Sequence, residues 1–404
     1  MNLGLTINNA VLVDPVTGVS RGSLSVDGDR ISAKAPNGVP VIDAKGAHLA
    51  PGIVDLGVFA VDKAACIAGG ITRVALMPDQ SPPLDDPGLV QRAALAAKPD
   101  LWVHPLAAAT RGLAGRELAE YALMVRAGAK AVSTGRGQIA GSGAMLRVLS
   151  YAASLGLTVI AHAEDEGLTG HAVATSGETA TRLGIASAPA RAEAMAIARD
   201  LALVEESGAS IHFRQVTTAG GLALVRKAKA EGLRVTCGIT PAHLFLSDIA
   251  VTDFRTFARL SPPLRSEADR QACLEAVADN TIDVLCSAHD PRGPEAKRLP
   301  FADAEPGMAG AETLLALGLG LVRDGVISLP RLMAMLSANP TRIIGVEGGS
   351  LAVDSPADLI LFDPDTPWII DGDKLAGQAN NTPFDKLPTQ GRVLKTIKGG
   401  RPLG

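Results

Sequence analysis

Four histidines in this chain stand near the ends of short apolar runs, where a side chain is free to meet a ligand. His162 follows Thr158-Val159-Ile160-Ala161 and precedes Ala163-Glu164-Asp165; His212, His243 and His289 occupy comparable places further on. A zinc ion needs several nitrogen, thiolate or carboxylate donors converging at about 2 Å. His162 with any of the other three is therefore a candidate for a single ion, and the plain alternative is a set of hydrogen-bonded imidazoles. Asp290 is the candidate proton acceptor; because Pro291 follows at once, a solvated loop carboxylate is the competing reading. Arg265 and Arg292 form either an anion site or structural ion pairs. Cys66 carries a nucleophile's thiol with no recognisable base beside it. Gly69-Gly70 and Gly348-Gly349 lack a phosphate-loop pattern and read as turns.

Strand-like runs recur through the middle of the chain with helix-length segments between them: Ile53–Val58, Arg73–Met77, Leu101–Leu106, Ala129–Ser133, Thr158–Ala163, Ser210–Arg214, Arg234–Gly238 and Ile282–Ser287. Repetition of this kind predicts βα units, and eight of them close a barrel whose site residues lie at the C-terminal ends of the strands. The expected fold class is α/β, a (β/α)8 TIM barrel over 51–346. Arg191–Glu206 and Leu222–Glu231 read as outer helices, the second ending before Gly232. Short apolar runs separated by turn signals at both ends (Leu5–Ile7, Val11–Val13, Leu24–Val26; Ala357–Phe362, Trp368–Ile370, Val393–Ile397) predict short antiparallel strands. The two ends, 1–50 and 347–404, are expected to form one small β domain. Between Phe59 and Ile71 about a dozen residues remain, close to the minimum for a crossover.

The chain of 404 residues is 47% hydrophobic, so it buries a large core and exceeds the roughly 250 residues of a single barrel. A net charge of −4 gives no basic patch for nucleic acid or an anionic membrane. Cys66, Cys237, Cys273 and Cys286 are far apart and read as reduced core thiols. Met1-Asn2-Leu3-Gly4 opens no targeting segment and no long apolar run follows, which predicts a cytoplasmic protein.

Several blocks together resemble the dihydroorotases and their cyclic-amidohydrolase relatives: Pro51-Gly52-Ile53-Val54-Asp55, Ala68-Gly69-Gly70-Ile71-Thr72 with Met77-Pro78, His162-Ala163-Glu164-Asp165, Thr240-Pro241-Ala242-His243-Leu244, Pro262-Pro263-Leu264-Arg265, Ala338-Asn339-Pro340 and Asn381-Thr382-Pro383-Phe384. The resemblance implies a metal shell with a His pair from strand one, a bridging group from strand four, one His each from strands five and six, and an Asp from strand eight. This chain presents Gly57, Phe59, Thr134, His162, Gln215 and Ala288 at those positions, so His162 alone is retained. The missing Asp, at Ala288, is also the family's general base. Some family members bridge with a carboxylated Lys on strand four, but Lys130 lies four positions before Thr134 and would be displaced down the strand.

The substrate shell implied by the resemblance is altered as well. Asp79 replaces an Asn that holds the substrate carboxylate, and two like charges about 4 Å apart repel by roughly 4 kcal/mol at an effective dielectric of about 20. Ser261 replaces another Asn, Arg292 replaces a His, and the substrate-binding Arg of the first loop has no counterpart between Leu56 and Thr72. The resemblance thus implies a dihydroorotase-like protein of pyrimidine biosynthesis without hydrolase activity, holding no cofactor, and acting as an oligomeric, non-catalytic assembly subunit for the catalytic chain of aspartate transcarbamoylase. The competing expectation is a divergent cyclic-amide hydrolase with a reduced zinc site around His162. A third is a ligand-sensing barrel that binds an anion at Arg265 and Arg292.

Overall fold

The computed structural model describes residues 4–403. Met1–Leu3, and the outer limits of the β domain at 1 and 404, lie outside them. Eight parallel strands run in spatial order along the chain: Ile53–Val58, Ile71–Leu76, Trp102–Ala108, Ala131–Ser133, Thr158–Ala161, Ser210–Phe213, Val235–Ile239 and Val284–Leu285. Each expected barrel strand is present, shifted by at most a few residues. The first two are buried at every position, as strands covered by helices on one face and a packed interior on the other must be.

The last strand is only two residues long and no ladder returns from it to the first. Side chains close that seam instead. The fully buried Asp55 accepts hydrogen bonds from the Ser287 amide (2.9 Å) and from its hydroxyl, and the Phe59 amide donates to the His289 carbonyl (2.8 Å). A family-conforming Asp in strand one is thus used to shut the barrel. The result is a nearly closed eight-stranded TIM barrel.

The outer helices follow from local sequence. Arg191–Ser207 buries Ala192, Ala196, Ile197, Leu201 and Val204 along one face and ends at Gly208 in the left-handed region. Glu193 lies on that same buried face, which calls for partners. The short crossover after Phe59 holds one helix, Lys63–Ala68, capped by Asp62, whose Oδ1 accepts from the Ala65 amide. Asp62 Oδ2 also accepts from the Gln378 amide (2.7 Å), so the abbreviated loop is tied to the C-terminal region.

Both termini build one further sheet. Gly4–Asp14 pairs antiparallel with Gly18–Asp27 and parallel with Val41–Asp43 and His48–Pro51; the last of these pairs antiparallel with Leu359–Ile369, which pairs with Pro388–Lys398. The expected separate strands at 5–7 and 11–13 are one strand bent by a bulge between Ile7 and Ala10, and those at 357–362 and 368–370 are likewise one strand with an irregularity between Asp363 and Pro367. The parallel pairings depart from the antiparallel expectation, because long connections return two segments alongside the first strand in the same direction. All four cysteines are free and buried. No helix of the described residues is long and apolar enough to cross a membrane.

Candidate functional site

Strand one reaches the barrel mouth through a bulge between Leu56 and Val58, with Gly57 at φ +100°, a conformation that side-chain-bearing residues rarely adopt. A Cβ built there would lie 3.6 Å from Arg214 Cδ. Phe59 follows the strand and is buried beneath two guanidinium groups, with Arg136 Cζ 3.7 Å and Arg214 Cζ 5.1 Å from the ring centroid. Cations therefore crowd the face where the resemblance placed a pair of metal-binding imidazoles.

Arg136 is brought there by the turn after strand four. Thr134 Oγ1 accepts from the His162 amide (3.0 Å), Gly135 adopts φ +81°, and the Arg136 amide donates to Asp79 Oδ1 (2.8 Å). The Arg136 side chain then crosses Phe59 to pair with Asp290 Oδ2 at 2.7 Å. Asp290, read from sequence as either a free base or a solvated loop residue, is neither: it is 5% exposed and also meets Arg292 at 3.2 Å. Arg292 continues to Glu305 at 2.5 Å.

Arg214 enters from the end of strand six. It is 2% exposed, and its Nη2 donates to His162 Nδ1 at 3.0 Å, while Nε and Nη1 have no partner among the described residues. Accepting at Nδ1 places the His162 ring proton on Nε2, which lies 3.3 Å from Glu164 Oε2. Both nitrogens of the one retained ligand histidine are thereby engaged. Burial lowers the pKa of Arg214 as a buried cation's must fall, and the nearby Arg136 charge adds to the effect.

Behind this layer lies a cage around Arg265, which is 3% exposed. Its guanidinium meets Glu164 Oε1 (2.7 Å) and Glu193 Oε2 (3.5 Å) and donates to Thr217 Oγ1 (2.9 Å) and Thr175 Oγ1 (3.1 Å). Glu193 in turn accepts from the amides and hydroxyls of Thr217 and Thr218. Arg265 and Arg292 each have their own carboxylates, which is the ion-pair reading of the two offered by the sequence, and they do not assemble an anion site. Burial pushes the Glu164 carboxyl up, but the bond from His162 and the charge of Arg265 outweigh it and bring it down to about 2.

A folded-state value below the unfolded one means that Glu164 contributes stability that is complete above about pH 4.5 and lost as pH falls toward 2. Glu164→Gln is therefore expected to cost on the order of 3 kcal/mol at pH 7, a difference that shrinks steadily below pH 4.5. Denaturant midpoints of both proteins across that range measure it; a difference independent of pH would overturn the assignment.

The remaining sequence candidates are placed as follows. His212 bonds Thr236 (2.9 Å) and burial lowers its pKa to about 3; His243 bonds Thr240 (2.8 Å) and the Pro262 carbonyl (3.1 Å), and burial lowers it to about 4. His289 accepts from the Gly310 and Ala311 amides and lies 3.8 Å from Asp62. Gln215 is buried with its Oε1 unpartnered, and Ala288 takes φ +45°. Cys66 is fully buried, and burial beside Asp55 and Asp62 raises its thiol far above the usual range, which removes it as a nucleophile. Lys130 precedes strand four, at the base of the barrel rather than its mouth.

Two cavities meet here. An outer one of about 670 Å³ is lined by Arg116, Arg136, Arg259, His162, Glu164 and Ser261 among others. An inner one of about 20 Å³, bounded by Phe59, Arg214, Gln215, Ala288 and Asp290, lies behind Arg136 and Ser261, which border both. Arg136 and Arg214 were missed from the sequence; the signal available was a basic residue just past a strand end, in the first case between Gly135 and Gly137.

A metal shell does not fit this arrangement. Among the described residues no three His, Cys, Asp or Glu side chains gather as ligands, and the donor that remains already faces a guanidinium. A third cation beside Arg214 and Arg136 would be repelled, with little to offset its desolvation.

The comparisons with known proteins place this barrel and its mouth in a class. A family model described as "Amidohydrolase family" matches residues 64–403, and the chain belongs to that family. Within it the chain is similar over its full length to proteins named dihydroorotase: 36% identical over 421 residues to the "Dihydroorotase" of Geobacter metallireducens, covering 99% of each chain, and 37% identical over 416 residues to a "Dihydroorotase-like protein" of Pseudomonas aeruginosa, covering 98% of each. The L-hydantoinase (dihydropyrimidinase) of Arthrobacter aurescens shares the fold, with a TM-score of 0.86 at 24% identity over 99% of this chain and 96% of that one.

Proposed function

We propose that this dihydroorotase-like chain performs no ring hydrolysis and serves as an assembly subunit for the catalytic chain of aspartate transcarbamoylase. The observation that carries the first half is the Arg214 guanidinium, bonded to His162 and lying against Phe59 where a metal and its ligands would stand. Hydrolysis of a cyclic amide by this family's route needs a metal-activated water and a carboxylate base. Ala288 carries no base, and Asp290 is committed to two arginines.

The second half rests on what the chain retains. A barrel shut by a buried Asp55 and a tightly built Arg265 cage are costly to maintain in a protein without a role, and a surface used for assembly selects for the fold rather than the metal shell. The resemblance supplies the partner.

The test combines three measurements on the full chain: elemental analysis of protein purified without chelator, dihydroorotate turnover with added zinc, and co-purification with the aspartate transcarbamoylase catalytic chain. We expect less than about a tenth of a metal per chain, because the donor set cannot repay dehydration of the ion, no turnover, and a stable complex. Near-stoichiometric metal with turnover abolished by His162→Ala would instead establish the reduced-site hydrolase. Absence of any complex at micromolar concentrations would overturn the assembly role.

A further inference from the structure

At the opposite end of the barrel from the site described above, a further cavity of about 520 Å³ opens between the bases of strands two to four and the terminal sheet. Its walls combine Arg73 from strand two, Trp102 and His104 from strand three, Lys130 before strand four, and Lys398 from the C-terminal sheet. Five cationic and three anionic side chains line it; with Arg401 paired to Asp100 outside the lining, an excess of one positive charge remains.

The excess is concentrated at the buried wall. Arg73 and Lys398, 4% and 6% exposed, share one carboxylate, each meeting Asp358 Oδ2 at 2.7 Å. Only the Nε of Arg73 is used in this contact; its two amino groups have no hydrogen-bond partner among the described residues, although the side chain is nine-tenths buried and borders the cavity. Lys130 is exposed and makes no ion pair among the described residues. The other two cations differ: Arg30 is held by Glu347 and Arg401 by Asp100. Burying two cations against one anion is unfavourable unless a further negative charge completes the set.

The neighbours sense that imbalance. Burial, joined by the charges of Arg73, Lys130 and Lys398, lowers the His104 ring to about 3, so it is neutral, and its Nε2 is buried without a partner. Burial likewise brings Lys398 down to about 8, with Arg73 adding to the effect. Trp102 closes one side, with Lys398 Nζ 4.1 Å and Arg73 Cζ 4.8 Å from its ring centroid.

We infer that this basal cavity is a binding site for a phosphate-bearing small molecule, whose phosphoryl group is taken by the free amino groups of Arg73 together with Lys130 and Lys398. A planar guanidinium edge with two unused donors matches two phosphoryl oxygens, and a phosphoryl group's negative charge offsets the positive excess of the lining. The cavity exceeds the volume of a phosphate ion and has apolar walls at Pro99, Val346 and Pro356, so the ligand carries an organic body. The site is separate from the barrel mouth and does not depend on whether the mouth is catalytic.

Trp102 and Trp368 are the only tryptophans in the chain, so a Trp368→Phe background makes Trp102 the reporter. Fluorescence titrations of the full chain with inorganic phosphate, with a nucleoside monophosphate (AMP) and with succinate separate the sources of negative charge. AMP is expected to bind more tightly than phosphate, and succinate more weakly than either. Lys130→Glu, at an exposed unpaired position, is expected to weaken AMP binding by at least about tenfold without moving the melting temperature. A signal from phosphate alone, with AMP excluded, would limit the site to the ion and overturn the organic ligand. No response to any of the three up to about 10 mM, equal affinity for succinate, or binding unchanged by Lys130→Glu would each overturn the proposal.

Discussion

Replacing Arg265 by methionine is expected to cost about 3–5 kcal/mol of stability. The side chain is almost wholly buried between Glu164 and Glu193, which come from the end of strand five and from the helix Arg191–Ser207. Removing the cation leaves two buried carboxylates facing one another, and the hydroxyls of Thr175 and Thr217 lose their donor. Neutralising both acids by protonation lessens the penalty, so the loss at pH 7 should exceed that at pH 4. Chemical denaturation at the two pH values measures this; a loss below about 1 kcal/mol at neutral pH would show that the cage is loosely held and would return Arg265 to consideration as a ligand-binding group.

Arg214→Met is expected to act in the opposite direction, leaving stability unchanged or raising it by about 1–4 kcal/mol. Arg214 is as deeply buried as Arg265, yet among the described residues the only hydrogen-bond partner of its guanidinium is His162 Nδ1, and two of its nitrogens have none. Its closest charged neighbour on Phe59 is another cation, Arg136. A methionine of similar length would keep the contact with Phe59 and remove the desolvated charge. Should the variant lose about 2 kcal/mol or more, the guanidinium is holding the mouth together through partners such as ordered water in the inner cavity. Metal analysis of the same variant is informative as well. With Gly57, Phe59, Gln215 and Ala288 unchanged, freeing His162 alone is not expected to create a metal site.

These two arginines show how far the chain could be read in advance. All eight barrel strands were legible because each is an apolar run bounded by turn-forming residues, a property of a few adjacent positions. The terminal strands were legible as strands but not as long bent ones, since a bulge at Asn9 looks locally like a turn. At the site, Gly57, Phe59 and Ala288 could be recognised as residues whose side chains donate nothing to a metal, and Gln215 as one offering only a neutral amide oxygen in place of an imidazole. Arg214 could not be recognised as what fills the space. Strand alternation places neighbours 214 and 215 on opposite faces, but the strand stops at Phe213, and past that end both side chains border the same inner cavity.

By itself, then, the sequence determined the order of the βα units, the membership of both termini in one sheet, and the chemical poverty of the expected ligand positions, because each is written in residue types over short spans. Tertiary structure alone decided which charges are bound and which are free. Arg265 and Arg73 are both buried arginines facing carboxylates, and no local pattern distinguishes them. One has its donors filled by Glu164, Thr175 and Thr217, and the other shares a single aspartate with Lys398, from the far end of the chain. That difference sets the use of each arginine, since the energy of a buried charge depends on what packs within a few ångströms of it and not on its neighbours along the chain.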